Sequence, residues 1–494
     1  MPSLSKATLH RLDARVAIPH YDRAAISPGI VHIGVGGFHR AHQAVYLDTL
    51  LGKGMATDWG YHGLGLQSIN QEMDDALTPQ DHLYTLVLRH GDGTWEPRVI
   101  GSHIGYTLGF GHPEAAVALM ADPRIRIVSL TITEGGYAID PVTGQFNPDA
   151  PEVAADLATS APPASVFGLV NLALARRRAA GIKPFTLMSC DNVQGNGDIA
   201  RGSFVGYAKL TDPDLAAWME DNVRFPNSMV DRITPRTTDD DRAELARRFG
   251  VEDRWPVVCE PFIQWVLQDT FCDGRPPFEE VGVQLVDDVT PYELMKLRLL
   301  NASHQALAYP GYLVGYRLVC QAASDPLIAG YLLDYMTREA MPTLQPVPGI
   351  DLWAYTHQLI ERFANPGVGD TIARLTTNAS DMIPKFLLPV LRANLASGGQ
   401  ITRSTAVIAC WARWAQEVDE HGGTYRIDDS RSAQLVAAAA RHKDAPCEFL
   451  DANRSLFGAD IVDNDRFRTL YVALLRSVLD RGVRVTLADL DTFE

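Results

Sequence analysis

Residues 29–51 read GIVHIGVGGFHRAHQAVYLDTLL: a β-rich run from Ile30 to Ile33, a turn through glycines, and then a helical pattern. No other feature restricts the fold so strongly. A strand that feeds a helix, and not a hairpin, reaches its sheet neighbours by crossovers, which makes the sheet parallel and covers its faces with helices. Gly34, Gly36 and Gly37 stand where a dinucleotide-binding turn has its glycines. In such a turn the first glycine makes the tight bend and the second lets the backbone approach a pyrophosphate. The helix N-terminus then faces the negative charge. The third fingerprint position is His39, not glycine. Glycines also occur in ordinary strand-to-helix connections, so it is the context that favours nucleotide binding.

The alternation continues downstream. IRIVSLTITEGGY (125–137) and KPFTLMSC (183–190) are further buried-strand candidates, each ending in glycine or polar residues. Past residue 286 the texture changes to Ala/Leu/Arg-rich runs such as STAVIACWARWAQEV, SAQLVAAAARH and RFRTLYVALLRSVLD, which read as helices. The predicted class is α/β. A Rossmann-type dinucleotide-binding domain with insertions spans residues 1–286, and a mainly α-helical substrate and catalytic domain spans 287–494, meeting near LVDDVTP.

Composition narrows the function classes. The 494 residues carry a formal net charge of −16, which argues against a nucleic-acid partner because phosphate binding needs a basic footprint. No run approaches the roughly 20 apolar residues of a membrane-spanning helix, and MPSLSKATLHRLDARV lacks the apolar core of a signal peptide. The expected location is the cytoplasm, away from membranes. Six cysteines are scattered without a C-x-x-C, as in a protein of reduced thiols. Fourteen histidines bring neither H-E-x-x-H nor a paired Cys/His spacing, so no metal site is expected.

The chemistry-bearing candidates cluster in a few segments. In PYELMKLRLLNASHQALAYPG (291–311) a lysine, an asparagine and a histidine interrupt an apolar helix. With Lys296 at zero on an α-helical wheel, Glu293 falls at about 60°, His304 at about 80° and Asn301 at about 140°. Thr290, Pro291 and Glu293 match a capping box, which accounts for Glu293 structurally. A single buried histidine is ordinarily a core residue and a single lysine can reach solvent, but neither reading explains all three polar residues in one sector. Burying an amine is costly unless it is paired or neutral. Lowering a lysine pKa by roughly 2 units from about 10.4 corresponds to about 2.7 kcal/mol, after which it can serve as a general base. Asparagine amides donate hydrogen bonds without charge and suit a developing alkoxide.

SCDN places Asp191 and Asn192 beyond the carboxyl end of a strand, where ligands of open α/β sheets sit, although an Asx turn would explain them as well. In FPNSMVDRITP, Asp231 and Arg232 could form a local ion pair. The second strand ends at YHGLGLQS, with Gln67 and Ser68 where NAD-binding folds carry a carboxylate. Between Arg40 and Arg89 the only basic residue is Lys53. A 2′-phosphate would want an arginine, so the charge pattern leans towards NAD and away from NADP.

Together HIGVGGFHRAHQ, VSLTITEGGY, SCDN, FPNSMVDRITP and KLRLLNASH resemble the polyol-specific long-chain dehydrogenases, in that family's order and over most of the chain. The resemblance implies a Rossmann-type domain followed by a helical domain, with the active site between them. It also implies a metal-free, NAD-dependent interconversion of a sugar alcohol and a ketose, D-mannitol and D-fructose being the leading pair. The partners are then a small polyol or ketose substrate, and the chain acts as a monomer. By motif, Lys296 is the general base, and Asn192 and Asn301 hold the reacting oxygen. Asp231 and His304 orient the base or bind substrate hydroxyls, Glu293 gates a proton path to water, and Arg374 contacts the sugar chain. Cofactor contacts are implied at Gly34, Gly36, Gly37, Phe38, Arg40, Thr133 and Glu134.

One position departs from the pattern. Relatives often carry a basic residue where this chain has Met382, and Lys385 stands on the far side of Pro384. That opens the substrate to other polyols such as arabinitol or sorbitol. A uronate (mannonate or fructuronate) oxidoreductase would want a positive clamp for its carboxylate, and Met382 removes one candidate. A catalytically silent nucleotide sensor could keep the fold without the chemistry, but Lys296, Asn192 and Asn301 are all retained.

Overall fold

The computed structural model describes residues 3–140, 143–159 and 161–493. The chain divides into two compact units, Met1–Thr290 and Pro291–Glu494.

Five strands of the first unit build its main sheet: β1 (Pro28–Ile33), β2 (Gly60–Gly65), β5 (His103–Leu108), β6 (Ile127–Leu130) and β7 (Thr186–Ser189). The order is β5-β2-β1-β6-β7 and every pairing is parallel. Counting only these strands, this is the 3-2-1-4-5 order of the Rossmann fold, with the reversal beside β1. Alternate residues serve opposite faces, as strand geometry requires. Val31, Ile33, Val128, Leu130 and Leu187 pack with Val117, Phe167 and Leu174 on one side. Ile30, Tyr61, Ile127 and Met188 pack with Leu47, Leu50 and Trp265 on the other.

The expectation of a parallel sheet missed two small companions. β3 (Tyr84–Arg89), β4 (Trp95–Ile100) and β9 (Val257–Cys259) form one, ordered β4-β3-β9. β8 (Ser228–Asp231), β10 (Gln264–Gln268) and β11 (Gln284–Val286) form the other, ordered β11-β10-β8. The β3–β4 hairpin had a local signature in HGDG, where Gly93 takes a φ of +85° and donates to His90 O. The pairings of β8 and β9 are long-range and left no comparable trace.

The second unit is helical. Thr402–Trp414 is buried along nearly its whole length and packs against Ala302–Leu313 and Asp465–Arg481. Thr402–Trp414, Ser432–Ala439 and Asp465–Arg481 fall on the three Ala/Leu/Arg-rich runs. No described helix is long and apolar enough to cross a membrane.

His39, at the third fingerprint position, is fully buried. Its ring stacks on His32 of β1 at 3.4 Å between centroids, and its Nε2 lies 2.9 Å from His103 Nε2. The helix–strand packing that a glycine would permit is here made by interlocking imidazoles. His32 is satisfied by Ser129 Oγ (2.8 Å) and Thr131 Oγ1 (2.9 Å). Burial pushes His32 down to about 3, His62 down to about 4, and His39 and His103 well below the ordinary histidine value. Because the unfolded chain binds these protons first, stability is full above about pH 6.5 and declines as pH falls towards 3. Each unit of pH in that window should cost about 1.4 kcal/mol per buried histidine. Thermal melts from pH 7.5 to 4.5 should show a steep fall below pH 6.5. His32→Gln, provided it folds, should flatten that fall.

Candidate active site

The glycine turn joins β1 to the helix Gly37–Ala41, with Gly36 as its N-cap. Gly34 has a φ of +93°, and a Cβ there would lie 2.1 Å from Thr131 O. Only glycine lets these two backbones touch, and Thr131 Oγ1 closes the contact by donating to Gly34 O at 2.7 Å. Gly36 is different: its nearest neighbour to a Cβ would be Gly34 O at 3.8 Å, so space is left beside it. A cavity of about 670 Å³ opens here, walled by Gly34 and Gly36, by Gln67 and Asn70 after β2, and by Thr131, Ile132 and Thr133 after β6. Bare backbone at a helix N-terminus beside such a cavity fits a dinucleotide pyrophosphate.

Asp191, just past β7, does not form the Asx turn that its own neighbours would suggest. Its carboxylate accepts the backbone N–H of Thr133 (2.8 Å) and of Ile132 (3.0 Å), and the hydroxyl of Tyr137 (2.6 Å). Burial pushes its pKa up, and these three donors hold it back. Arg232 likewise makes long-range contacts: it donates to Glu260 O and Ala41 O and so ties β8 to the helix after the glycine turn. Asp231 is buried at the end of β8 opposite Gln264.

In the second unit the lysine-bearing segment is not one regular helix. Thr290–Met295 is α-helical, Lys296–Asn301 is a π-helix, and Ala302–Leu313 returns to α. The α-helical angle of about 140° between Lys296 and Asn301 therefore does not apply. A π-turn closes between residues i and i+5, which is the spacing of Lys296 and Asn301, so the two stack along one face. Tyr335 OH donates to Arg298 O within this turn (3.2 Å), giving a displaced carbonyl a partner. The helix start also differs. Thr290 lies inside it, and its N–H is accepted by Asp288 Oδ1 at 2.9 Å.

Lys296 is 8 % exposed, Glu293 6 % and His304 8 %, so all three are buried as the flanking leucines imply. The His304 ring lies 4.5 Å from that of Phe363. Asn301 Oδ1 is buried and has no hydrogen-bond partner among the described residues. An orphaned amide one π-turn from a buried amine is a polar position that a ligand hydroxyl can satisfy.

Comparison with known proteins shows the family. Residues 28–280 match the mannitol dehydrogenase Rossmann domain and residues 288–478 the mannitol dehydrogenase C-terminal domain. The chain belongs to the mannitol dehydrogenase family. It is 45 % identical to mannitol 2-dehydrogenase of Phaeosphaeria nodorum, over 96 % of this chain and 83 % of that one. The Pseudomonas fluorescens mannitol 2-dehydrogenase, solved as a ternary complex with NAD and D-mannitol, superposes with a TM-score of 0.90. It shares 43 % identity, covering 99 % of this chain and 100 % of that one. A substrate-free D-sorbitol dehydrogenase gives the same TM-score at 39 % identity, covering 98 % and 100 %.

The remaining candidate positions have distinct surroundings. Phe38 is half-buried against His42, and Gly37 is open. Thr133, on the loop after β6, lines the cavity together with Gly135 and Gly136, two residues not among the candidates, whereas Glu134 between them does not line it. Arg40 does not line that cavity. It is buried, donates to Gly36 O and Trp255 O, and lies over the rings of Tyr84 and Trp255, so its visible role is packing. Arg374 carries Asp370 as a two-point ion pair, with Nε to Oδ1 at 2.6 Å. Met382 and Lys385 share the helix Ala379–Phe386, which continues through Pro384. Three residues apart, they are neighbours on its surface. Among the described residues no group of three or more His, Cys, Asp or Glu is placed to hold a metal ion.

Two glycine substitutions separate packing from binding. Gly34→Ala forces the Thr131 backbone away and should lower stability by about 2 kcal/mol or more. Gly36→Ala should leave the melting temperature unchanged and weaken NADH binding at least tenfold, measured by fluorescence titration.

Proposed function

We propose that this protein oxidises D-mannitol to D-fructose with NAD and catalyses the reverse reduction, using Lys296 as general base and no metal. The observation that carries the reading is the near-complete match to a mannitol 2-dehydrogenase whose complex holds NAD and D-mannitol. The chain's own geometry supports it through the glycine-turn cavity and the π-turn that carries the buried Lys296 and the buried Oδ1 of Asn301.

The bound nicotinamide supplies the hydride acceptor. The protein's task is to remove the proton from the hydroxyl on the same carbon and to hold the oxygen while charge develops. Lys296 Nζ is assigned that proton. Met295, Leu299 and Leu300 are buried beside it, and desolvation favours a neutral amine able to accept a proton. Asn301, one π-turn away, and Asn192 are assigned the oxygen, since amide N–H groups stabilise an alkoxide without adding a charge. Asp231 and His304 orient the base or bind neighbouring hydroxyls, and Glu293 relays the proton towards water. Gly34, Gly36, Gly37, Phe38, Thr133 and Glu134 hold the cofactor. Among the described residues lining the cavity there is no lysine or arginine to receive a 2′-phosphate, which favours NAD over NADP. The domain roles follow, with nucleotide binding in residues 1–286 and substrate binding and the base in 287–494.

The Arg374–Asp370 pair bears on substrate choice. Its guanidinium already carries a carboxylate, so it is a poor clamp for an anionic sugar acid and a suitable contact for neutral hydroxyls. This disfavours a uronate. Another hexitol is the second reading, favoured by the likeness to a D-sorbitol dehydrogenase.

Lys296→Ala should lower kcat for mannitol oxidation about a thousandfold or more and leave the NADH dissociation constant within threefold of wild type. Near-normal turnover would remove the lysine from its role. The wild-type rate should survive dialysis against EDTA. In a panel of mannitol, sorbitol, arabinitol, xylitol and mannonate, kcat/KM should be greatest for mannitol and negligible for mannonate. A mannonate rate equal to that for mannitol would overturn the reading of Arg374.

A further inference from the structure

We propose that Asp191 is a positioning residue for the cofactor, holding the loop after β6 in a backbone geometry that the loop would not keep by itself. The proposal rests on the nucleotide-binding reading of the glycine-turn cavity.

Thr133 has φ +64° and ψ 165°. That region of backbone space is essentially reserved for glycine, and a β-branched residue persists there only where its surroundings impose it. The residue is not in a tolerant surface turn, because Thr131, Ile132 and Thr133 wall the same cavity as Gly34 and Gly36. The restraint is visible. The two oxygens of Asp191 take the consecutive N–H groups of Ile132 and Thr133, and Tyr137 OH, from the end of the same loop, donates to Oδ2. Tyr137 OH also lies 2.6 Å from Ser189 Oγ on β7, so the clamp is anchored to the sheet. Both Asp191 and Tyr137 are buried.

Only a carboxylate meets the demand. Both oxygens face donors, and an amide in the same place would turn its NH₂ towards an N–H. Releasing either peptide lets Thr133 relax to a negative φ, which rotates the loop backbone and changes the cavity wall. The residue after Asp191 is Asn192, assigned above to the reacting oxygen, so one carboxylate sets both the loop after β6 and the start of the loop after β7.

The test compares NADH binding by isothermal titration in wild type, Asp191→Asn, Thr133→Gly and the double variant, with melting temperatures alongside. The expected result is a dissociation constant at least tenfold higher for Asp191→Asn. The double variant should recover at least half of that loss on a logarithmic scale, because glycine takes φ +64°, ψ 165° without strain. Mere loss of stability would not be rescued by adding a glycine. Binding within twofold of wild type in Asp191→Asn, or no recovery in the double variant, overturns the proposal. If Asp191→Asn does not fold, Tyr137→Phe removes one of the three donors and should raise the dissociation constant at least threefold; no change there overturns the proposal equally. Failure of the wild-type protein to bind NADH would instead overturn the functional reading itself and this inference with it.

Discussion

The approach of Gly34 to Thr131 is the constraint on which the nucleotide-binding unit depends. A side chain at position 34 would meet a carbonyl oxygen at 2.1 Å, so the loops after β1 and β6 close together only because that atom is missing. These strands are neighbours at the sheet's topological reversal, where ligands of such folds bind. The cavity exists because Gly36, two residues on, has space where Gly34 has none. One glycine packs backbone on backbone, and the other leaves backbone exposed to a ligand.

A second constraint acts within the helical unit. Six residues of π-helix interrupt the segment carrying Lys296 and Asn301. Such turns are rare and are found frequently at functional sites. The gain is geometric: residues five apart come onto one face, which an α-helix would not allow. Tyr335, itself the first residue of another π segment, supports a carbonyl within the turn.

Both units thus keep locally unfavourable backbone where the chemistry is assigned. Thr133 sits in glycine's territory under a buried carboxylate, and Lys296 begins a helix type that few sequences adopt. Two arginines in these motif segments have visible contacts within the fold. Arg40 spends its guanidinium on backbone carbonyls and aromatic rings, and Arg232 spends its own on the carbonyls of Glu260 and Ala41. Their visible contacts organise the elements that bear the site.

The sequence alone was sufficient for the glycine turn, the parallel main sheet, the helical character of the C-terminal part, and the resemblance to the family. These are local signals, carried by residue type and spacing within one or two elements. The tertiary structure decided what distant partners impose. Asp191 had the spacing of an Asx turn and instead accepts the N–H groups of Ile132 and Thr133 on another strand's loop. His39 broke the glycine fingerprint, and its reason lies in His32 and His103, 7 residues before it and 64 after it in the chain. The pairing of β8 and β9 depends on strands far along the sequence, and the π-turn at Lys296 is not encoded in the period of its leucines. Hydrogen-bond donors and ring faces are satisfied by proximity in space, and a residue's type does not specify which distant partner will provide it.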